Sequence, residues 1–313
     1  MTGATGATLG ERVQTLWGGY GEIRRVTLTG THPATVIVKY VVPPAKPEPS
    51  DTPEGRSHRR KLRSYEVERA FYERYARRCG ANCRVPASLH VGTDSGRMLF
   101  IQEDLDAAGF DGRRNHASDA ELRLCLDWLA AFHATFLRVA PQSLWKVGTY
   151  WHLATRPDEL RALGPGNLQR AAPWLDEELN RARFQTFVHG DAKLQNFCFA
   201  SSADAVAAVD FQYVGGGVGV KDVAYFLTSC LSSSRLEREA ESYLDYYFGA
   251  LRRTLVEREE GVSAGEIDAL EAEWRELYPV ACADFYRFLV GWARESSRDP
   301  YLEAMTRRVL ERR

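Results

Sequence analysis

The stretch FVHGDAKLQNFCFASSADAVAAVDF, residues 187–211, decides the fold. Asp191 is followed by Asn196 five positions on and by Asp210 nineteen positions on. Two short apolar runs, NFCFA (196–200) and VAAVD (206–210), flank the polar turn SSADA. Runs of that composition on either side of a turn predict a β-hairpin. Folding back in this way returns Asp210 to the neighbourhood of Asn196 and Asp191. Two of the three groups then offer oxygen ligands to a hard divalent cation of the kind Mg²⁺ represents. The third, a carboxylate, is left to accept a proton from a hydroxyl.

This order and spacing resembles the kinase catalytic loop, in which H-x-D is followed by an Asn five residues later and by an Asp on the next hairpin. His189 reads as a brace for the loop through hydrogen bonding. Lys193, two residues after Asp191, brings a cation toward the phosphoryl group being transferred. Such a loop requires a phosphate-holding cation from elsewhere in the chain. TVIVKYV (35–41) places Lys39 inside an apolar strand, where an unpaired ammonium is costly. The helical pattern that follows offers Glu66 and Glu68 as its partner. The turn Gly18-Gly19-Tyr20-Gly21 stands two strands before Lys39, and the backbone N–H groups at Gly19 and Gly21 are candidates to cover phosphates. Glu103-Asp104-Leu105 reads as the inter-lobe hinge, with the backbone of Glu103 and Leu105 facing the adenine edge.

HGDAKLQN, VDFQ, FIQEDL, LAAFHA and YEVERAFYERY together resemble the small-molecule kinases of the protein-kinase-like superfamily. That set includes aminoglycoside phosphotransferases and choline kinases. EDL at the hinge and E-x-x-F-Y in the helix lean toward its ecdysteroid-kinase-like group. The resemblance runs over roughly residues 12–295. It implies Asp191 as catalytic base, with Lys193 beside it, and Asn196 and Asp210 as Mg²⁺ ligands. It further implies Lys39 on the α- and β-phosphates of ATP, with Glu68 as its acidic partner, and a structural role for Asp222 in GVKDVAYFL. The reaction implied is transfer of the γ-phosphate to an alcohol of a small molecule. The alternative is a nucleotide-binding pseudokinase, against which the intact set of five residues stands.

Two departures bear on the acceptor. Gly190 occupies the place of the Arg in H-R-D, and DFQ replaces DFG. Asp222 stands only twelve positions after Asp210, too close for a phosphorylatable activation segment and its A-P-E anchor. A small acceptor is therefore expected rather than a protein. Its pocket is expected from 141–185 and the C-terminal helices, which carry Trp145, Tyr150, Trp151 and Trp174, with Asp284 as a candidate polar contact, while Phe285, Phe288 and Trp292 share one helical face and read as core.

Working outward, residues 1–42 read as strands (Val13 to Trp17, Ile23 to Thr29, Thr35 to Val42). A proline-rich excursion, PPAKPEPSDTPEG, occupies 43–55. A helix follows up to Cys79-Gly80, then strands near 88–92 and 98–105, and long helical patterns after residue 117. The expected fold is α+β and bilobal. Residues 1–103 form a small nucleotide-binding lobe of antiparallel sheet with one main helix, and 104–313 a larger, mostly helical catalytic and substrate-binding lobe. The 313 residues carry 41 Lys+Arg against 42 Asp+Glu, a net charge of -1. That balance argues against nucleic acid or anionic lipid as a partner. Six cysteines without a CxxC pair are too few for a disulfide scaffold and lack zinc spacing. The opening MTGATGATLGERVQ has no signal-peptide pattern, and no run reaches the ~18 apolar residues of a membrane span. The expected location is cytoplasmic. No sequence feature fixes an oligomeric state.

Overall fold

The computed structural model describes residues 3–44, 51–258, 261–293 and 298–313. Its chain order is β1 (Gly6–Thr15), β2 (Gly21–Thr29), β3 (Thr35–Val41), α1 (Pro53–Arg74), β4 (Ser88–Asp94) and β5 (Arg97–Glu103), then α2 (Asp119–Thr135), α3 (Pro157–Ala162) and α4 (Asn167–Asn180). Four short strands follow, β6 (Thr186–Val188), β7 (Phe197–Phe199), β8 (Val206–Ala208) and β9 (Gly215–Gly217). The chain ends in α5 (Val220–Cys230), α6 (Ser233–Glu257), α7 (Ala264–Trp292) and α8 (Pro300–Leu310). It divides into two compact units. Unit 1 holds residues 1–113 together with Cys198–Gln212, and unit 2 holds Arg114–Phe197 and Tyr213–Arg313.

In unit 1 the sheet runs β1-β2-β3-β5-β4, antiparallel throughout. The expected first strand, Val13 to Trp17, lies earlier. Pairing with β2 begins at Gly6↔Thr29, and Trp17–Gly19 forms a single 3₁₀ turn. Ladder hydrogen bonds hold this edge strand although its Gly- and Thr-rich start shows no apolar alternation. α1 starts before the end of the expected excursion. Thr52 caps it by accepting from the Gly55 N–H at 3.0 Å, and Pro53 takes the first position, where a missing N–H costs nothing. Residues 45–50 of the excursion lie outside the described residues. The hairpin read from the sequence is present as β7 paired with β8.

Unit 2 is built from α2–α8 with a two-stranded β6–β9 ribbon. Capping boxes, Ser118 with Glu121 and Ser263 with Glu266, start α2 and α7. Trp128 stacks on Phe132 at 5.0 Å, and Phe136 on Phe187 at 4.6 Å. The run Gly215–Gly217 carries no side-chain pattern, yet it pairs with Thr186–Val188. A Cβ at Gly215 would stand 2.4 Å from the Trp145 carbonyl oxygen, so only glycine lets the backbones approach this closely. Among the described residues no helix is long and apolar enough to cross a membrane. Among the described residues none of the six cysteines is in a disulfide.

Candidate active site

In unit 1, Lys39 stands mid-strand in β3, in register with Ile23 on β2 and Phe100 on β5. It is 4% exposed, and its Nζ donates to Glu68 Oε2 at 2.6 Å and Oε1 at 2.9 Å. The rings of Tyr65 and Phe100 lie 5.3 and 5.8 Å from the ammonium. Glu66 turns outward to Arg63 at 3.2 Å. Helix phase makes the choice. Glu68 lies on the apolar stripe with Tyr65, Tyr72 and Tyr75, whereas Glu66, two residues away, points to the other side. Burial pushes the Glu68 carboxyl above the usual range, the Lys39 charge opposes that shift, and the negative charge of Asp210 adds to it.

Asp210 follows β8 with φ +70°, a left-handed conformation uncommon for a residue with a side chain. Its Oδ1 is sealed from solvent without a hydrogen-bond partner among the described residues. A buried carboxylate oxygen in that state suits a hard cation. Phe211, next in sequence, stacks on Phe71 at 4.0 Å and meets Tyr72 edge-on at 5.9 Å.

At the end of β5, the Glu103 carboxylate accepts from Arg84 and from the Ala87 N–H, and the Glu103 N–H donates to Ala87 at 2.9 Å. The Leu105 carbonyl accepts from Ala108 at 3.1 Å and from Phe110 at 2.8 Å, and its side chain packs with Cys198 and Ala207. Between them, Asp104 is buried against Arg25 at 2.8 Å. Burial works to raise the Asp104 carboxyl, but hydrogen bonds from Arg25 and Thr35 and the guanidinium charge hold it below its ordinary value. In the glycine turn, the Gly19 N–H closes the turn onto Leu16 at 3.1 Å, while Gly21 opens β2 opposite Val41.

In unit 2, Asp191 is 7% exposed, with both carboxylate oxygens engaged. Oδ1 accepts from the Tyr225 hydroxyl at 3.2 Å. Oδ2 accepts from Asn196 Nδ2 at 3.1 Å and faces Lys193 Nζ at 3.2 Å. Asn196 Nδ2 also donates to the Asp191 carbonyl at 2.7 Å. With its NH₂ committed to Asp191, the Asn196 side chain turns its carbonyl oxygen the other way.

Asp222, fully buried at the first turn of α5, holds this loop. Its Oδ2 accepts from the His189 N–H at 2.5 Å and from His133 Nε2 at 3.1 Å, and its Oδ1 from the Gly190 N–H at 2.9 Å. His189 braces the loop as well, accepting the Asp191 N–H on Nδ1 at 3.3 Å. Gly190 sits at φ +81°, and a Cβ there would stand 2.2 Å from the Tyr213 carbonyl oxygen. Backbone geometry thus excludes an Arg in that place.

Sequence reasoning missed Tyr225. Its only legible signal is its place one helical turn after Asp222, on the same face of α5. The ring packs against Tyr150, Trp151 and Phe285 at 5.0–5.4 Å. Burial first, and the neighbouring Asp191 charge second, push the Tyr225 hydroxyl pKa well up, so it stays a proton donor to Asp191. Asp284, an expected acceptor contact, is occupied otherwise. It is buried, taking hydrogen bonds from Arg287 at 2.7 and 3.0 Å and from Trp151 Nε1 at 3.1 Å. Phe285 and Phe288 are core residues, while Trp292 is exposed.

A β-rich unit with a buried Lys–Glu pair, followed in the chain by a helical unit with an Asp/Asn loop, defines the α+β protein-kinase-like class. Within that class the chain belongs to the APH phosphotransferase enzyme family, whose sequence profile matches residues 21–258. Among solved structures it is similar to an aminoglycoside-3'-phosphotransferase of type VIII, at 16% identity and TM-score 0.42, covering 87% of this chain and 94% of that one. It is also similar to the aminoglycoside phosphotransferase APH(3'')-Id from Streptomyces rimosus ATCC10970 in complex with ADP and streptomycin, at 15% identity and TM-score 0.48, covering 86% and 92%. No curated protein matches the sequence.

Proposed function

We propose that this phosphotransferase moves the γ-phosphate of ATP to a hydroxyl group of a small molecule. The observation that carries the reading is the Asp191 carboxylate, withdrawn from water and oriented through both oxygens by Tyr225, Asn196 and Lys193. A carboxylate fixed in this way accepts the proton of an alcohol without reorganising during the reaction. Lys193 supplies positive charge beside the base, and Lys39, kept in place by Glu68, supplies it to the α- and β-phosphates. The Glu103 carbonyl and the Leu105 N–H would meet the adenine edge, and Gly19 and Gly21 would shape the turn over the phosphates.

Asp210 and Asn196, each taken by itself, offer an oxygen that suits a Mg²⁺ ion. Asp210 has a sealed carboxylate oxygen without a partner among the described residues, and Asn196 has its amide NH₂ tied back onto Asp191. When bound, Mg²⁺ neutralises charge on the phosphates. The lean toward an ecdysteroid-kinase-like acceptor rests on EDL and E-x-x-F-Y alone.

The experiment is an ATP-consumption screen against sterols, amino alcohols, nucleosides and aminoglycosides, followed by Asp191→Asn on the best acceptor. The expected result is a kcat lower on the order of a thousandfold with ATP affinity nearly unchanged. Wild-type turnover in that variant would sink the assignment.

A further inference from the structure

Gln212 stands where the related motif has glycine, and it is neither exposed nor part of the chemistry above. It is 5% exposed, and its Oε1 accepts from Lys61 Nζ at 2.9 Å and from the Ser64 hydroxyl at 3.1 Å. Ser64 is fully buried, and its single proton is shared with the Lys61 carbonyl at 2.7 Å. The Lys61 ammonium also lies 4.9 Å from the Tyr65 ring centroid, so its head group is held on two sides.

Lys61, Ser64, Glu68 and Phe71 recur at intervals of three and four and therefore form one stripe of α1. Glu68 on that stripe holds Lys39, Phe71 stacks on Phe211, and Lys61 with Ser64 holds Gln212. The two residues directly after Asp210 are thus docked, side by side, onto the helix that also fixes the phosphate lysine. Asp210 itself keeps an uncommon left-handed backbone and a sealed oxygen without a hydrogen-bond partner among the described residues. A loop in that state persists only where its surroundings over-determine it, and a glycine at 212 would remove one of the two anchors.

We infer that Gln212 is a positioning residue: anchored by Lys61 and Ser64 of α1, it pins Asp210 in the conformation that receives the divalent cation. The inference rests on Asp210 being a metal ligand. It assigns to Gln212 the opposite of the freedom a glycine confers there, namely a loop held ready without a switching step.

The test is calorimetric binding of ADP as MgCl₂ is raised from zero, with thermal melting of each variant alongside. Gln212→Ala should raise the half-saturating Mg²⁺ about tenfold, the size of one lost hydrogen bond to a charged group, while ADP affinity in EDTA is unchanged. Gln212→Glu keeps an oxygen for Lys61 and Ser64 and should stay close to wild type. An unaltered Mg²⁺ requirement in Gln212→Ala overturns the inference. If that variant does not fold, Ser64→Ala, which removes one of the two donors, carries the same comparison. Asp210→Asn separates the two levels. It should abolish the Mg²⁺ dependence, and if it keeps the wild-type requirement, Asp210 is not a ligand and both readings fall.

Discussion

Lys39 and Asp191 are both ionisable groups withdrawn from water, at 4% and 7% exposure, yet they are held in different ways. Among the described residues Lys39 is ion-paired with one carboxylate, Glu68, on a helix 29 residues away in sequence. Asp191 rests on a loop tied down by its own backbone. The N–H groups of His189 and Gly190 end on Asp222, and donors from Tyr225, Asn196 and Lys193 reach the carboxylate. A buried ion pair is strong only while both members remain, because losing one strands a charge. A loop fixed by several separate bonds loses them one at a time.

Removing one member of the pair should show the larger effect. Glu68→Ala is expected to cost about 3–5 kcal/mol in urea denaturation by leaving the Lys39 ammonium buried and unpaired. Lys39→Met combined with Glu68→Leu should recover most of that stability while remaining unable to bind nucleotide phosphates. A double variant no more stable than Glu68→Ala would show that the pair contributes something other than charge compensation.

Asp222→Asn comes next. An amide offers one acceptor oxygen where the carboxylate has two, so a buried N–H of the loop is orphaned at a cost of about 2 kcal/mol. Because that loop carries Asp191, kcat should fall along with the denaturation midpoint. A fall in stability with kcat intact would detach Asp222 from catalysis.

The smallest effect concerns one thiol from each unit. Burial, the leading cause in both, pushes Cys198 and Cys230 up to about 11. A raised thiol pKa means that the nucleophilic thiolate is scarce below it, on the order of one part in a thousand at pH 8. Iodoacetamide should therefore label both slowly at pH 8 in the native protein, faster as pH approaches 11, and readily in urea. Native labelling at pH 8 as fast as in urea would mean that one of these surroundings is open.

Much of this is legible in the sequence. The alternation of NFCFA and VAAVD around a polar turn predicts a hairpin, and β7 pairs with β8. Lys39 inside TVIVKYV demanded a partner, although the sequence offered two. The resemblance through E-x-x-F-Y pointed to Glu68, and the helical stripe through Tyr65, Tyr72 and Tyr75 points to the same residue by phase. The Gly215–Gly217 strand was illegible because glycine carries no side-chain pattern, and its pairing is visible only from its partner. Asp284, read as a polar contact for the acceptor, turned out to be taken by Arg287 and Trp151.

By itself, the sequence marked the groups proposed to do chemistry and their order, because motif spacing and strand alternation are local properties of the chain. It determined the family on the same ground. Only the tertiary structure decided which of those groups are held and by what. Gln212 meets Ser64 across 148 positions, and Trp151 meets Asp284 across 133. Tyr225 meets Asp191 from another element, 34 positions away. Partners this far apart share no periodicity, and become neighbours only when packing brings their elements together and burial makes each unpaired polar group too costly to leave alone.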